Sequence, residues 1–179
     1  MNLAARCTAL LAALAVAACA NLPPSPAPSG DTLTGRLAVR VDASDGAAAR
    51  SMSAAFELQG DARIGRLNLS TPLGSMVAQA RWAPGSVVLA TPQGETSYDD
   101  LDALTREVLG ESLPLAALFD WLRGRPWPGA ASSATVPPAE PGFVQLGWVV
   151  NLARFDEATV AARRDQAPVV TVRAKMDRP

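Results

Sequence analysis

The residue whose surroundings most clearly mark it for chemistry is Cys19. Its thiol is an intrinsically strong nucleophile that can be alkylated. It directly follows Ala17 and Ala18, two small residues that end an apolar run beginning at Leu10, and a single charge, Arg6, precedes that run. A positive start, a short apolar segment and small residues before a cut are the features of a secretory signal peptide. The sequence therefore predicts a signal peptide over residues 1–18.

The position of the cysteine indicates lipidation. Cleavage immediately before Cys19 would make it the new N-terminus, as in bacterial lipoproteins, where the thiol takes a diacylglycerol and the amine is acylated. The alternative is an ordinary signal peptide beside an unmodified cysteine. The apolar run is shorter than the roughly 20 residues that a spanning helix needs, so we expect a lipid tether. Residue 20 is Ala; Asp there resembles an inner-membrane retention signal, so its absence favours the outer membrane.

Three carboxylates, Asp99, Asp100 and Asp102, are the other cluster that could do chemistry, as a metal site or an acid–base pair. They stand at the start of a helical pattern, where acidic residues cap a helix and face its positive end, so we interpret them as structural. The chain has no histidine, which removes the commonest general base and metal ligand. No Gly-x-Ser-x-Gly elbow for a lipid hydrolase occurs either. The sequence predicts no catalytic residue, no metal and no cofactor, hence a protein that is not an enzyme.

Composition limits the remaining possibilities. Removal of residues 1–18 leaves 161 residues, which suits one domain with a real core. It also removes Arg6, leaving 15 basic against 17 acidic residues, a net charge near −2, without the basic excess typical of nucleic-acid binding. Apolar residues make up 49% of the chain although only nine are aromatic. Either an alanine-rich composition explains this apolar fraction, or the interior has more apolar surface than the core of the domain itself requires.

The domain boundary is marked by proline. Residues 21–30 hold four prolines, which is typical of a semi-extended linker. We therefore divide the chain into a signal peptide at 1–18, a lipidated linker at 19–31 and a folded domain at 32–179.

Apolar and polar residues alternate through the first half of the domain. This period of two predicts strands with one dry and one wet face, and frequent turn residues predict an antiparallel meander, hence a barrel or sandwich. The predicted dry positions are Leu37, Val39, Val41, Met52, Ala54, Phe56, Leu58, Leu67, Leu69, Ala78 and Ala80.

A helical period replaces the alternation after Ser97. Ser97 or Asp99 is predicted to cap a first helix that ends at Gly110, and a second helix is predicted at Leu115–Leu122. We expect a Pro-rich loop over 130–141, then strands over 143–155 and 169–176. Two helices are too few to cover a wide sheet, so they are expected to plug or lid a curved one.

Several short segments occur in a fixed order along the chain, and together they carry a family resemblance. They are Gly35-Arg36-Leu37-Ala38-Val39, Phe56-Glu57-Leu58-Gln59-Gly60, Leu69-Ser70-Thr71-Pro72-Leu73-Gly74-Ser75, Tyr98-Asp99-Asp100, Leu113-Pro114-Leu115, Trp121-Leu122-Arg123-Gly124, Pro126 and Gly147-Trp148 leading to Leu152 and Phe155. Behind a lipoprotein signal, this order resembles the outer-membrane lipoprotein receptor family LolB, over about residues 32–177.

The resemblance implies a mainly β fold with α: an unclosed antiparallel β-barrel, or half-barrel, with short helices lidding an apolar cavity. It implies a receptor, lipid-anchored in the outer membrane of a Gram-negative bacterium and facing the periplasm. Such a receptor accepts acylated lipoproteins from the periplasmic carrier LolA, binds their acyl chains and releases them into the inner leaflet. These are its expected partners; we expect a monomer without nucleic acid.

Leu73 is the most specific prediction of a functional residue outside the lipidation site. It lies between Pro72 and Gly74, at a turn tip that is normally wet, so a large apolar side chain there needs a reason. It either folds back onto the core or, as the resemblance implies, belongs to a protruding loop that delivers lipoprotein to the membrane.

The acyl cavity is predicted to be lined by the dry faces of strands and helices. The candidates are Leu37, Val39, Phe56, Leu58, Leu67, Leu69, Ala78, Leu89, Leu104, Leu118, Trp121, Leu122, Trp148 and Val150. Trp127 is expected at a loop or rim. Arg163 and Arg164 either face an acidic carrier or lipid headgroups, or form a solvated pair.

Two other functions remain open at this stage. One is a structural outer-membrane lipoprotein that acts as a scaffold and needs no cavity. The other is a soluble LolA-like carrier; Cys19 argues against it, because a carrier has to diffuse.

Overall fold

The structure, a computed structural model, describes residues 31–44 and 46–178. The predicted signal peptide, Cys19 and the Pro-rich linker lie outside the described residues. Within them the chain forms a 3-10 turn at Phe155–Glu157 and the helices α1, Leu101–Leu109, and α2, Leu115–Trp121. The strands are β1 Thr32–Val41, β2 Arg50–Gly60, β3 Gly65–Ser70, β4 Met76–Ala83, β5 Ser86–Thr91, β6 Gly94–Tyr98, β7 Ser132–Ala134, β8 Gly142–Gln145, β9 Trp148–Asn151, β10 Thr159–Arg164 and β11 Val170–Met176.

All eleven described strands belong to one antiparallel sheet, in the order β6-β5-β4-β3-β2-β1-β11-β10-β9-β8-β7. Strands β6 and β7 are its two edges and do not pair with each other, so the sheet stays open. The predicted half-barrel with short helices is thus confirmed. Every described strand, both described helices and the core lie between Thr32 and Met176, so a chain that begins at Ala20 holds all of these elements.

The antiparallel order fixes which turns share an end of the sheet. Thr32, the first residue of β1, pairs with Gln59 at the end of β2. The β2–β3 turn is at this same end, whereas the β3–β4 turn, between Ser70 and Met76, lies at the opposite end. The chain therefore enters the domain at one end of the sheet, and the turn that carries Leu73 projects from the other.

Side chains alternate between the two faces as the sequence predicts. On β1, Leu37 and Val39 are buried, with exposed fractions of 7% and 3%, whereas Arg36 and Arg40 point outward and are exposed. The same alternation runs through β2, β3 and β4. Because successive residues of a strand point to opposite faces, one face of the sheet is apolar and needs covering.

Helix α1 provides part of this cover. Its N-cap is Asp100, whose side chain accepts a hydrogen bond of 2.6 Å from the backbone N–H of Ala103. The predicted caps Ser97 and Asp99 are therefore wrong: the extended backbone of Asp100 brings this carboxylate, the second of the three candidates, to the helix end. Gly110, with φ 80°, ends the helix as predicted, because its left-handed backbone suits glycine.

Helix α2 agrees with its prediction to within one residue. Pro114 precedes it and Leu122 follows its last residue, Trp121. Leu118 and Phe119 are buried, and the Phe119 ring meets the Trp82 indole edge-on with centroids 5.6 Å apart. The helix is thus fastened to β4 by an aromatic contact.

The late strands follow the prediction in part. The strand predicted over 169–176 is present as β11, and the strand pattern predicted over 143–155 is a hairpin of β8 and β9, joined by Leu146 and Gly147 with φ values of 54° and 77°. Two positive φ values are typical of a tight hairpin turn, for which leucine is a poor signal. Strand β10 lies in a stretch left unassigned, because Ala161, Ala162 and two arginines have weak strand propensity. The short, exposed β7 lies inside the predicted loop.

Gln145 ties the covering elements to the sheet. It is 1% exposed, yet its amide makes four hydrogen bonds. Its oxygen accepts from the Trp121 indole N–H at 2.8 Å and from the Trp127 backbone N–H at 2.9 Å. Its nitrogen donates to the carbonyls of Trp127 at 2.7 Å and Ala130 at 2.8 Å. One side chain of β8 thus fixes the end of α2 and the loop that follows it.

We expect Gln145→Met to lower the free energy of unfolding by about 3 kcal/mol or more, because each buried polar group left unpaired costs about 1–3 kcal/mol. Denaturant unfolding measures this. The control is Gln79→Met on the outer face, which removes one half-buried hydrogen bond to Asn68 and should cost about 1 kcal/mol or less. Equal losses in the two variants would contradict the assigned role of Gln145.

Candidate functional site

A small cavity of about 60 Å³ lies between the inner face of the sheet and α1. Its lining is apolar except for one threonine. The lining residues are Leu37, Val39, Met52, Leu67, Leu69, Ala78, Ala80, Leu89, Leu104, Thr105, Val108, Leu109, Leu113 and Leu115.

Thr105 does not make the cavity polar. Its hydroxyl donates to the carbonyl of Asp102 at 3.2 Å and accepts from the backbone N–H of Leu113 at 3.0 Å. The threonine is thereby used to hold the segment after α1, and its hydrogen-bonding groups are turned to the backbone. The cavity wall offers a ligand apolar contact and no charge.

Seven of the fourteen predicted lining residues border this cavity: Leu37, Val39, Leu67, Leu69, Ala78, Leu89 and Leu104. The other seven belong to the surrounding core: Phe56, Leu58, Leu118, Trp121, Leu122, Trp148 and Val150. Among these, the Trp121 indole packs against the rings of Phe143 and Trp148, with centroids 6.4 and 6.1 Å away. The role of any of them in acyl binding stays a prediction.

The sequence prediction omitted half of the residues that line this cavity. Met52 and Ala80 follow the same alternation as their neighbours, so the period of two marked them. Val108 and Leu109 belong to the predicted helical stripe. Leu113 lies just outside both helices, where no periodic signal could mark it.

The cavity is too small for an acyl chain in this conformation. One enclosed water needs at least about 10–15 Å³, so about 60 Å³ holds only a few small groups. Binding a long chain therefore requires α1 to move away from the sheet. Val108 is 45% exposed at the cavity wall, which places an apolar side chain of α1 at the opening.

A half-buried ion pair holds the segment after α1 to the sheet. The Arg164 Nη2 atom lies 2.5 Å from the Glu111 Oε2 atom, and the two side chains are 17% and 23% exposed. The Arg164 guanidinium also lies over the Trp148 ring, 5.6 Å from its centroid, a favourable cation–π placement. The two neighbouring arginines that were considered together therefore point to opposite faces of the sheet. Arg164 faces inward, whereas Arg163 points outward and pairs with Asp165 at 2.6 Å.

We expect Glu111→Gln to lower the free energy of unfolding by about 1–2 kcal/mol, because it leaves the Arg164 charge half-buried without a partner. Amide exchange at Leu109 and Gly110 should accelerate more than exchange in the central strands. Glu95→Gln is the matched control: its pair with Arg81 is 60% and 47% exposed, so its loss should stay below about 1 kcal/mol. Unchanged exchange at the end of α1 would show that this ion pair does not hold it.

Leu73 is 96% exposed and does not fold back onto the core. The backbone N–H of Thr71 donates to the carbonyl of Ser75 at 2.8 Å, which closes the turn beneath it. Met76 and Val77 beside it are 50% and 41% exposed. The β3–β4 turn therefore carries a compact apolar tip.

The perturbed ionisable groups lie away from the cavity. Hydrogen bonds from the backbone N–H groups of Ile64 and Arg63 lower the pKa of Asp61 in the β2–β3 turn. The pair with Arg154 lowers the pKa of the exposed Glu157. Within residues 31–44 and 46–178, no group of three or more acidic, cysteine or histidine side chains could hold a metal ion. In the same ranges, no helix is long and apolar enough to cross a membrane.

An open antiparallel half-barrel with two short helices over an apolar cavity defines the class of this molecule. The family described as "Outer membrane lipoprotein LolB" matches residues 32–173. The chain is 32% identical to the outer-membrane lipoprotein LolB of Bordetella pertussis over 183 residues, covering 96% of this chain and 92% of the relative. It is 34% identical to that of Dechloromonas aromatica over 163 residues, covering 87% and 85%. The chain belongs to the LolB family of outer-membrane lipoproteins.

Proposed function

We propose that this protein accepts acylated lipoproteins from the periplasmic carrier LolA, encloses their acyl chains and releases them into the inner leaflet of the outer membrane. The observation that carries the proposal is the uncharged apolar cavity between the sheet and α1. This is transport without covalent chemistry.

The free energy of such binding comes from removing the acyl chain from water. Each buried CH2 group contributes roughly 0.8 kcal/mol. The apolar cavity wall forms no hydrogen bond that would fix the orientation of a flexible acyl chain. The proposal requires α1 to open, because the closed cavity of about 60 Å³ holds too little of an acyl chain. The ion pair between Glu111 and Arg164 opposes this opening at the end of α1.

The release step is assigned to Leu73. The cross-strand pair Leu69 and Ala78 lines the cavity, and the Leu73 turn lies directly beyond it in the same hairpin. An exposed leucine at this tip can enter the leaflet without breaking any core contact. Cargo leaving the cavity toward this end would then meet the acyl region of the membrane.

A lipid on Cys19 would keep the domain at the membrane that receives the cargo. Several acyl chains anchor a protein far more firmly than one. Under this proposal residues 1–18 are the cleaved signal, 19–31 the lipidated linker, and the domain faces the periplasm as a monomer. The tether is what separates this receptor from a diffusing carrier.

The first test mixes a chain that begins at Ala20 with LolA preloaded with an acylated lipoprotein. We expect the cargo to move to this chain, measured by separate affinity tags on the two proteins. Cargo that stays on LolA while this chain is folded would overturn the receptor function and favour a structural scaffold.

Ala78→Phe should reduce cargo acceptance about tenfold, because the added ring fills a cavity of only about 60 Å³. The control is Ala90→Phe, on the outer face of the neighbouring strand. Both variants are checked for folding by circular dichroism. Full acceptance by a folded Ala78→Phe variant would place acyl binding elsewhere.

Leu73→Glu should leave folding and cargo acceptance unchanged but reduce insertion into outer-membrane vesicles at least tenfold, because a charge at the tip opposes entry into the leaflet. Val136→Glu is the control, since Val136 is also an exposed apolar loop residue, at 71%. Separating vesicles from soluble complex by flotation measures insertion. If the two variants insert cargo equally well, Leu73 has no special part in release.

A further inference from the structure

The outer face of the sheet divides into two halves of different charge. On β3 and β4, Arg66 lies 3.8 Å from Glu57 and Arg81 pairs with Glu95, so the cations of this half are neutralised. The other half, on β1, β10 and β11, carries the cations Arg36, Arg40, Arg163, Arg173 and Lys175. We call these five residues the outer basic face.

Carboxylates neutralise the outer basic face only in part. Arg40 and Arg163 pair with Asp42 and Asp165, which lie just beyond the strand ends. Lys175 donates to the backbone carbonyl of Glu157. Arg36 and Arg173 make no hydrogen bond or ion pair with any described residue. Five cations against two carboxylates leave this surface positive, although the whole chain is slightly acidic.

A shallow depression of about 600 Å³ lies among these cations. It is lined by small and hydroxyl-bearing residues, Ala38, Ser51, Ser53 and Thr171, and by the guanidinium groups of Arg40, Arg163 and Arg173. The carboxylate of Asp42, which pairs with Arg40, also lines it, so the three cations outnumber the single anion. Guanidinium groups match the geometry of phosphate oxygens, and hydroxyl groups can donate to them. The depression therefore fits the phosphate of a headgroup.

Apolar side chains continue this surface. Strand pairing places Val144 beside Val149, Val149 beside Arg163, and Arg163 beside Thr171 in one row across the sheet. Val144 and Val149 are 38% and 41% exposed. Exposed apolar side chains next to cations are typical of surfaces that lie in a membrane interface.

The position of the row favours a membrane over an acidic protein. The row continues through Thr171 to Arg40, next to the last residue of β1. That end of the sheet is the one from which Leu73 projects. A domain whose tip reaches the leaflet can therefore lean its outer basic face on the surrounding headgroups.

We propose that the outer basic face, with Val144 and Val149, binds the surface of anionic phospholipids and sets the tilt of the domain during release. The inference rests on the proposed function, since it takes the membrane as the surface that the domain meets. The cations supply attraction to phosphate, and the two valines contact the upper acyl region.

The experiment measures binding of the chain beginning at Ala20 to phosphatidylcholine vesicles with and without phosphatidylglycerol, by sedimentation. We expect binding to rise with phosphatidylglycerol and to fall with added salt, because salt screens exposed charges. Arg163→Gln with Arg173→Gln should weaken binding to the anionic vesicles on the order of tenfold. Replacing both arginines by lysine keeps the charge and should therefore weaken binding much less than the glutamine pair does, the remaining loss reflecting the geometry of the guanidinium groups.

The matched control is Arg66→Gln with Arg81→Gln, which removes two charges from the other half of the same face and should change binding less than about twofold. Equal losses in the two double variants would overturn the proposal, since net charge alone would then explain the binding. Unchanged vesicle binding but weaker capture of LolA would assign the face to an acidic protein and overturn the lipid assignment. Cargo acceptance by the unsubstituted chain is measured in parallel, so failure of the receptor function remains distinguishable.

Discussion

The structure depends on keeping one face of an open sheet out of water. A closed barrel would cover its own interior, whereas here β6 and β7 remain apart and two short helices cover the apolar face. The cover is therefore thin and depends on a few fastenings: the Gln145 amide, the Trp82–Phe119 contact and the ion pair of Glu111 with Arg164. Such a cover buries the face through few contacts with α1, as the proposed opening for an acyl chain requires.

Charge is distributed to suit this arrangement. The cavity wall carries no ionisable side chain, so an apolar ligand enclosed there would not remove any charged group from water. Arg164 is the cation that turns inward from β10, and its partner stands on the covering segment. Arg50, the first residue of β2, lies beside Gly110 at the end of α1. The other strand cations face outward, neutralised on one half of the sheet and only partly neutralised on the other. One sheet thus has an apolar face beneath the helices and a polar face toward solvent.

Periodicity predicted the early part of the fold well and the late part only in part: β8, β9 and β11 lie where strands were predicted, whereas β7 and β10 were missed. From Leu37 to Ala80 the alternation gave the correct inner face, because each strand has one dry side and clear turn residues. After Phe143 the pattern indicated strands but not which face is inner, since Val144 and Val149 are apolar on the outer face and Leu146 occupies a turn. The cavity wall was only half predictable: alternation tells which face is dry, but the position of α1 decides which dry residues border a space. Gln145 gave no signal, because the three residues that it bonds to, Trp121, Trp127 and Ala130, are distant in sequence.

The ends of the sheet set a length requirement on the tether. Thr32 enters at one end and Leu73 projects from the other, with β1 running between them. Ten strand residues rise about 34 Å. Twelve residues, 20–31, separate Cys19 from Thr32, and in a proline-type extended conformation they cover about 37 Å. If Cys19 carries the proposed lipid, a domain whose tip touches its own leaflet would have to double back beside these twelve residues, whose greatest reach would nearly equal the length of β1.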